Sequence, residues 1–223
     1  MKKAILFALA LCFLLGCSKS PATLELSDDA CISPLEWGMT ADEARTALSG
    51  YELTEEIGEG EASLSFDAPL FGQDVSINLK LALFSSGKDL YVPLEQSEPV
   101  LWQIQVLAKD KDALRESVSA VLGEQQTRQI GYYDYDGEIG IKEGDELNEE
   151  QRYWRSEQTI ADLFDEKELE PIASEQVFEK STDEIRFYDK RAYVVSWAFT
   201  ENDKVALIFT GSLLALRHIL NGE

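Results

Sequence analysis

The chemistry open to this 223-residue chain is narrow in nucleophiles and broad in acids. Its thiols are Cys12, Cys17 and Cys31, its one imidazole is His218, and its carboxylates number 42. A single histidine excludes zinc sites built from several imidazoles, and a Cys–His nucleophile pair would need Cys31 and His218 to meet across the chain. No G-x-S-x-G elbow, P-loop, H-E-x-x-H helix or dinucleotide fingerprint is present, and so many carboxylates single out no glycosidase-type pair. The densest acidic stretch holds Asp134, Asp136, Glu138, Glu143, Asp145 and Glu146. These are hard oxygen ligands of the kind calcium takes. Counted as a calcium loop from Asp134, however, they put Ile139 where the turn requires Gly and Asp145 where the closing Glu belongs. Asp134, Asp136 and Glu138 are therefore candidates for an irregular metal site, against the plainer use as a hairpin tip kept soluble by charge. The same stretch carries Tyr132, Tyr133 and Tyr135. They are candidates for a partner-binding patch, since strand alternation puts Tyr133 and Tyr135 on one face; ordinary core-and-edge packing is the alternative.

The remaining chemistry is at Cys17. Lys2 and Lys3 precede an unbroken apolar run from Ala4 to Leu15. That run is shorter than the ~20 apolar residues that cross a bilayer core, and it fits the central region of a secretory signal. It ends in Leu14-Leu15-Gly16-Cys17, which resembles the bacterial lipobox. The resemblance implies that residues 1–16 are a signal peptide, that cleavage precedes Cys17, and that the Cys17 sulfur carries the lipid. In many Gram-negative lipoproteins an Asp after the lipidated Cys retains the protein in the inner membrane. Ser18 stands there instead, so the resemblance implies an outer-membrane protein facing the periplasm.

Without Lys2 and Lys3 the mature chain carries 18 basic against 42 acidic residues, a net charge of −24. Nucleic-acid binding needs a basic footprint and is excluded as an expectation. Attachment to anionic lipid by charge is disfavoured equally, which leaves the acyl chains as the membrane anchor. Attraction to a basic protein or a divalent ion is the functional reading of this charge, and solubility the plain one. The 44% apolar content places the chain among globular proteins. With Cys12 removed and Cys17 acylated, Cys31 has no partner for an intramolecular disulfide and reads as a small buried hydrophobe.

Several elements position these residues. Residues 17–33 read as a lipidated tether, whose flexible span would be roughly 20–24 Å. Trp37-Gly38-Met39-Thr40 then leads into a helix, with Thr40 and Glu43 spaced as a capping box and Ser49-Gly50 as the stop. Glu52 to Glu61 reads as an acidic loop. Leu64, Phe66 and Ala68, then Val75 to Leu83, alternate apolar and polar about Gly72-Gln73-Asp74 and predict a hairpin. Val100 to Leu107 predicts a third strand, with Trp102, Ile104 and Val106 facing one way and Gln103 and Gln105 the other. Asp110 caps a helix striped by Leu114, Val118, Val121 and Leu122.

The second half is less regular. It holds a possible hairpin around Asp136-Gly137, strands over 192–200 and 204–210, and a closing helix over 212–221. The expected class is α+β, an antiparallel sheet with helices packed on one face. Its halves, 34–126 and 127–223, share a strands-then-helix order, which admits either one continuous sheet or two similar subdomains.

The Trp37-Gly38-Met39-Thr40 segment with Glu43 is similar to the lead-in to the first helix of small SmpA/OmlA-like envelope lipoproteins, whose architecture is related to that of β-lactamase-inhibitor proteins. The similarity spans about a dozen residues, and the intervening strand and loop lengths differ. It implies a fold used for interaction and assistance in outer-membrane assembly. The reading as a whole is a non-catalytic lipoprotein without cofactor that binds another envelope protein, as an assembly accessory or an inhibitor. The competing expectations are a carboxylate-based hydrolase of envelope polymers and a divalent-cation binder.

Overall fold

The computed structural model describes residues 21–86, 96–129, 132–133, 139–140, 150–165, 167–168, 191–198 and 204–221. Strands β1 (Glu25–Leu26) and β2 (Ile32–Ser33) form a small hairpin ahead of helix α1 (Ala41–Ala47). Strands β3 (Thr54–Gly58), β4 (Glu61–Leu70), β5 (Gln73–Ala82) and β6 (Val100–Ala108) follow, then helix α2 (Lys111–Leu122). The second half holds β7 (Gln126–Gln129), the short β8 (Tyr132–Tyr133) and β9 (Ile139–Gly140), β10 (Glu150–Arg155) and the one-turn helix α3 (Ile160–Leu163). It closes with β11 (Val194–Ala198), β12 (Val205–Thr210) and α4 (Ser212–Asn221).

Eight strands form one antiparallel sheet in the order β3-β4-β5-β6-β12-β11-β10-β7. The fold is α+β, and the two halves share this sheet and one apolar cluster rather than forming separate bodies. They meet where β6 pairs with β12, Ile104 opposite Phe209 and Val106 opposite Leu207. Outward from that seam the strands descend in chain order on both sides, so each half is the other's counterpart in arrangement.

Period-two alternation decides which face is covered. Leu64, Phe66, Val75, Ile77, Leu79, Ile104, Val106, Val195, Leu207, Phe209 and Trp154 are all buried on one side. The helices lie there, and they cross the seam. Trp154 of β10 donates its indole N–H to the Gly123 carbonyl at 3.1 Å, at the end of α2. The ring of Trp37, ahead of α1, lies on Gly211 at the start of α4; a Cβ on Gly211 would sit 2.4 Å from the indole. His218 of α4 packs equally close on Gly38, which has φ +93°. Each half thus holds the closing helix of the other.

Local chemistry sets the helix ends. The Glu43 carboxylate accepts the Thr40 backbone N–H at 2.7 Å, while Thr40 Oγ1 accepts from Glu43 N at 3.4 Å. Asp110 Oδ1 accepts from the backbone of Asp112 and Ala113, both at 3.0 Å. A second box, Thr159 with Asp162, starts α3.

Four expectations change. The body begins well before Ser33: Leu24, Ala30, Cys31 and Ile32 are buried, so residues 24–33 belong to the core rather than to a tether. Thr54–Gly58 is a fully exposed edge strand and not a loop, because an edge strand needs backbone pairing on one side and no apolar pattern. A register shift between Lys80 and Leu81 turns Leu101 inward opposite Leu81, so Trp102 does not continue the inward series of Ile104 and Val106. Val121 is 43% exposed and does not join Leu114 and Val118 in the buried stripe of α2.

The β4–β5 turn is tighter than its sequence suggested. Leu70 pairs with Gln73, leaving Phe71 and Gly72 at φ +55° and +72°. Positive φ at both loop positions is the hairpin geometry that matches strand twist. No atom lies within 4 Å of a Cβ placed on Gly72. Gly72→Ala should therefore cost only the left-handed backbone strain, about 1–2 kcal/mol, measured as a lowered urea midpoint at unchanged slope.

Candidate functional site

The helices use one face of the sheet, and none of the described helices covers the other. On that helix-free face, called the open face below, β4 places the buried Ser63, then Ser65 and Asp67, and β5 places Ser76, Asn78 and Lys80, paired across the ladder. The next three strands are uncharged there. Gln103, Gln105 and Leu107 of β6 lie beside Ile208 and Thr210 of β12, which lie beside Ser196 and Val194 of β11. Tyr153 and Arg155 of β10 close the series, the guanidinium 5.8 Å from the Tyr153 ring centre.

Carboxylates are absent from the middle of this face although they make up 42 of the chain's residues. The side chains are tied to one another, and one of them to the carboxylate of Asp67 at the edge of the face. Asn78 Nδ2 donates to Ser65 Oγ at 2.5 Å, Gln105 Nε2 to Gln103 Oε1 at 3.1 Å, and Ser76 Oγ to Asp67 Oδ1 at 2.6 Å. The floor is half-buried, amide- and hydroxyl-rich, and held by β-strands on a packed core. Such a surface can exchange hydrogen bonds and aliphatic contact with a partner at low ordering cost.

At the β3 end the face deepens into an open cavity of about 490 Å³, lined by Glu56, Ile57, Lys80, Trp102 and Gln103 among others. The register shift in β6 brings Trp102 to this wall. A second cavity, about 640 Å³, lies between the β1–β2 hairpin and α4 and mixes Asp28, Asp29 and Glu36 with Arg217 and His218. His218 stands there as a packing residue against Gly38.

The sequence-derived candidates are not residues of these strands. Tyr132 and Tyr133 form β8, whose pairing with Ile139 and Gly140 gives the hairpin expected around Asp136-Gly137. Asp134, Tyr135, Asp136 and Glu138 lie outside the described residues, as does Cys17. Among the described residues no three His, Cys, Asp or Glu side chains converge as a metal site, and no helix is long and apolar enough to cross a membrane. The open face was missed because polar positions in an alternating strand say only that they oppose the core. The available signal was that Ser63, Ser65, Ser76, Asn78, Gln103 and Gln105 are uncharged in a chain this acidic.

Two carboxylates serve as helix caps. The Thr40 backbone N–H, helped by its hydroxyl, holds Glu43 below its ordinary value, and Thr159 does the same for Asp162. Burial, then the charge of Asp29, pushes the Cys31 thiol well above its usual range. No known protein family matches the chain, and neither does any curated protein or solved structure.

Cys31 is 1% exposed, and the thiolate is the reactive form. The folded protein should resist a thiol reagent at neutral pH and react fully in urea. Labelling of the native protein as fast as of the unfolded chain would show that Cys31 is accessible after all.

Proposed function

We propose that this chain is a lipid-anchored envelope protein that binds another protein across the open face of its sheet. One observation carries the reading: a rigid, uncharged, hydrogen-bonding face on three adjacent central strands of a chain with net charge −22. Solubility explains an acidic surface, but it does not explain the absence of acids from the central strands of that face. The neutral floor suits a desolvated interface centre, where charge is depleted, and the acidic surroundings steer a partner by long-range attraction. Assistance in envelope assembly and inhibition of a partner are both served by such a surface.

Lipid on Cys17 would hold this domain close to the membrane. Pro21 lies against Gly50, where an added Cβ would meet Pro21 Cα at 2.6 Å, and the Tyr51 hydroxyl donates to the Ala22 carbonyl at 2.6 Å. The fold therefore reaches back to Pro21, and the four backbone steps from Cys17 to Pro21 span at most ~14 Å. That bound is shorter than the long tether expected from composition.

Photocrosslinking in the native cells tests the reading. A benzoylphenylalanine in place of Gln105 or Ser196 should trap one discrete envelope protein, whereas the same group in place of Glu116 on α2 should not. Cys17→Ser should release a folded protein from the membrane fraction. Equal capture from both faces would sink the open-face assignment, and membrane retention of Cys17→Ser would sink the anchor.

A further inference from the structure

We propose that the free edge of β3 accepts an extended, basic segment of a partner protein as a ninth strand of the sheet. The inference rests on the reading of the domain as a protein-binding module but uses a different surface from the open face.

Strand β3 ends the sheet, and all five of its residues are exposed. Gly58 and Glu61 flank the two-residue loop Glu59-Gly60. Such flanking residues form a hydrogen-bonded pair, and alternation makes Glu56–Ser63 and Thr54–Ser65 the next ones. The backbone N–H and C=O groups of Glu55 and Ile57 therefore point away from β4, toward the empty side, which is the geometry a docking strand requires.

Charge and shape name the occupant. Glu55 and Ile57 stand opposite the inward Leu64 and Ala62, and Glu56 opposite Ser63 on the open-face side. Arg45 pairs with Glu55, while Glu56 has no ion pair among the described residues. Glu52 and Glu59 flank the strand. Ile57 is 75% exposed, the most exposed large hydrophobic side chain among the described residues. A docking strand with Lys or Arg beside Glu56 and an aliphatic residue beside Ile57 would satisfy all of these.

Its cation would also lie over the cavity that Glu56 shares with Trp102, whose ring face attracts positive charge. A second copy of the chain would set Glu55 and Glu56 against their own kind, so self-pairing is disfavoured. Charges often guard edge strands against pairing. Here the guard is selective, because an apolar side chain stands in the middle of it and the repulsion vanishes for a basic strand.

The test uses the membrane-extracted, acylated chain in neutral detergent and two labelled peptides of equal charge, Lys-Val-Lys-Val-Lys and Lys-Pro-Lys-Pro-Lys. The first should bind at low salt and slow hydrogen exchange at the amides of Glu55 and Ile57. The second cannot donate a strand ladder and should not bind. Ile57→Pro removes an outward N–H that β4 does not use and should weaken binding about tenfold, the worth of one or two ladder hydrogen bonds. Glu56→Lys should weaken it further and reduce its salt dependence. Gln105→Arg, on the open face, should leave it unchanged, which separates failure of this proposal from failure of the open-face reading. Equal binding of the proline peptide, unchanged affinity in a folded Ile57→Pro variant, or no binding of the valine peptide would each overturn the proposal. Should Ile57→Pro not fold, protection of the two amides in the unmodified protein decides the matter.

Discussion

Pairing of β6 with β12 is the constraint on which the rest of the molecule depends. It joins strands that lie about a hundred residues apart in the chain and makes one sheet of two four-stranded halves. Ile104 and Phe209 face each other across it, both fully buried, and each contributes about 1.5–3 kcal/mol by leaving water. The helices repeat the same dependence. Trp154 holds the end of α2, and Trp37 lies on the first turn of α4, so neither half has a complete core without the other. Gly211 and Gly38 are glycines for this reason: the aromatic rings of Trp37 and His218 occupy the space a side chain would need.

That crossing of helices has a consequence for the opposite side. Once α1, α2 and α4 are committed to one face, the polar positions of β4, β5, β6, β12 and β11 form the other. Their composition is a matter of selection rather than of packing, since exposed strand positions tolerate most residues. In a chain of net charge −22, random placement would scatter carboxylates over them. The centre instead carries Gln103, Gln105, Thr210 and Ser196, and charge is left to the ends of the hairpins and the β3 edge. Folding stability does not require this segregation, and the proposed protein-binding surface would make use of it.

Much of the architecture was legible from pattern. The Thr40–Glu43 box, the Asp110 cap, the two long strands of the first half and the two late strands of the second all follow from spacing and alternation. What was hidden has physical causes. Thr54–Gly58 carries no apolar periodicity because an edge strand with both side-chain faces in water needs none. Leu24 to Ser33 looked like a tether because its buried residues, Ala30, Cys31 and Ile32, are consecutive and follow a turn in which Ala30 has φ +59°. The misassigned Trp102 reflects a bulge, which shifts parity by one residue without a mark in the sequence. Which charges are missing from a face is visible only after the strand order is known, and the β6–β12 pairing cannot be read from either half alone.

The central claim is that the uncharged sheet face is covered by a partner where the protein works. Hydroxyl-radical footprinting in native membranes, compared with the purified protein, measures this directly. Covering predicts that oxidation of Trp102 and Tyr153 falls several-fold in the membranes while Val121, on the opposite side, is oxidised equally in both. Equal oxidation of Trp102 and Tyr153 in the two preparations would contradict the account.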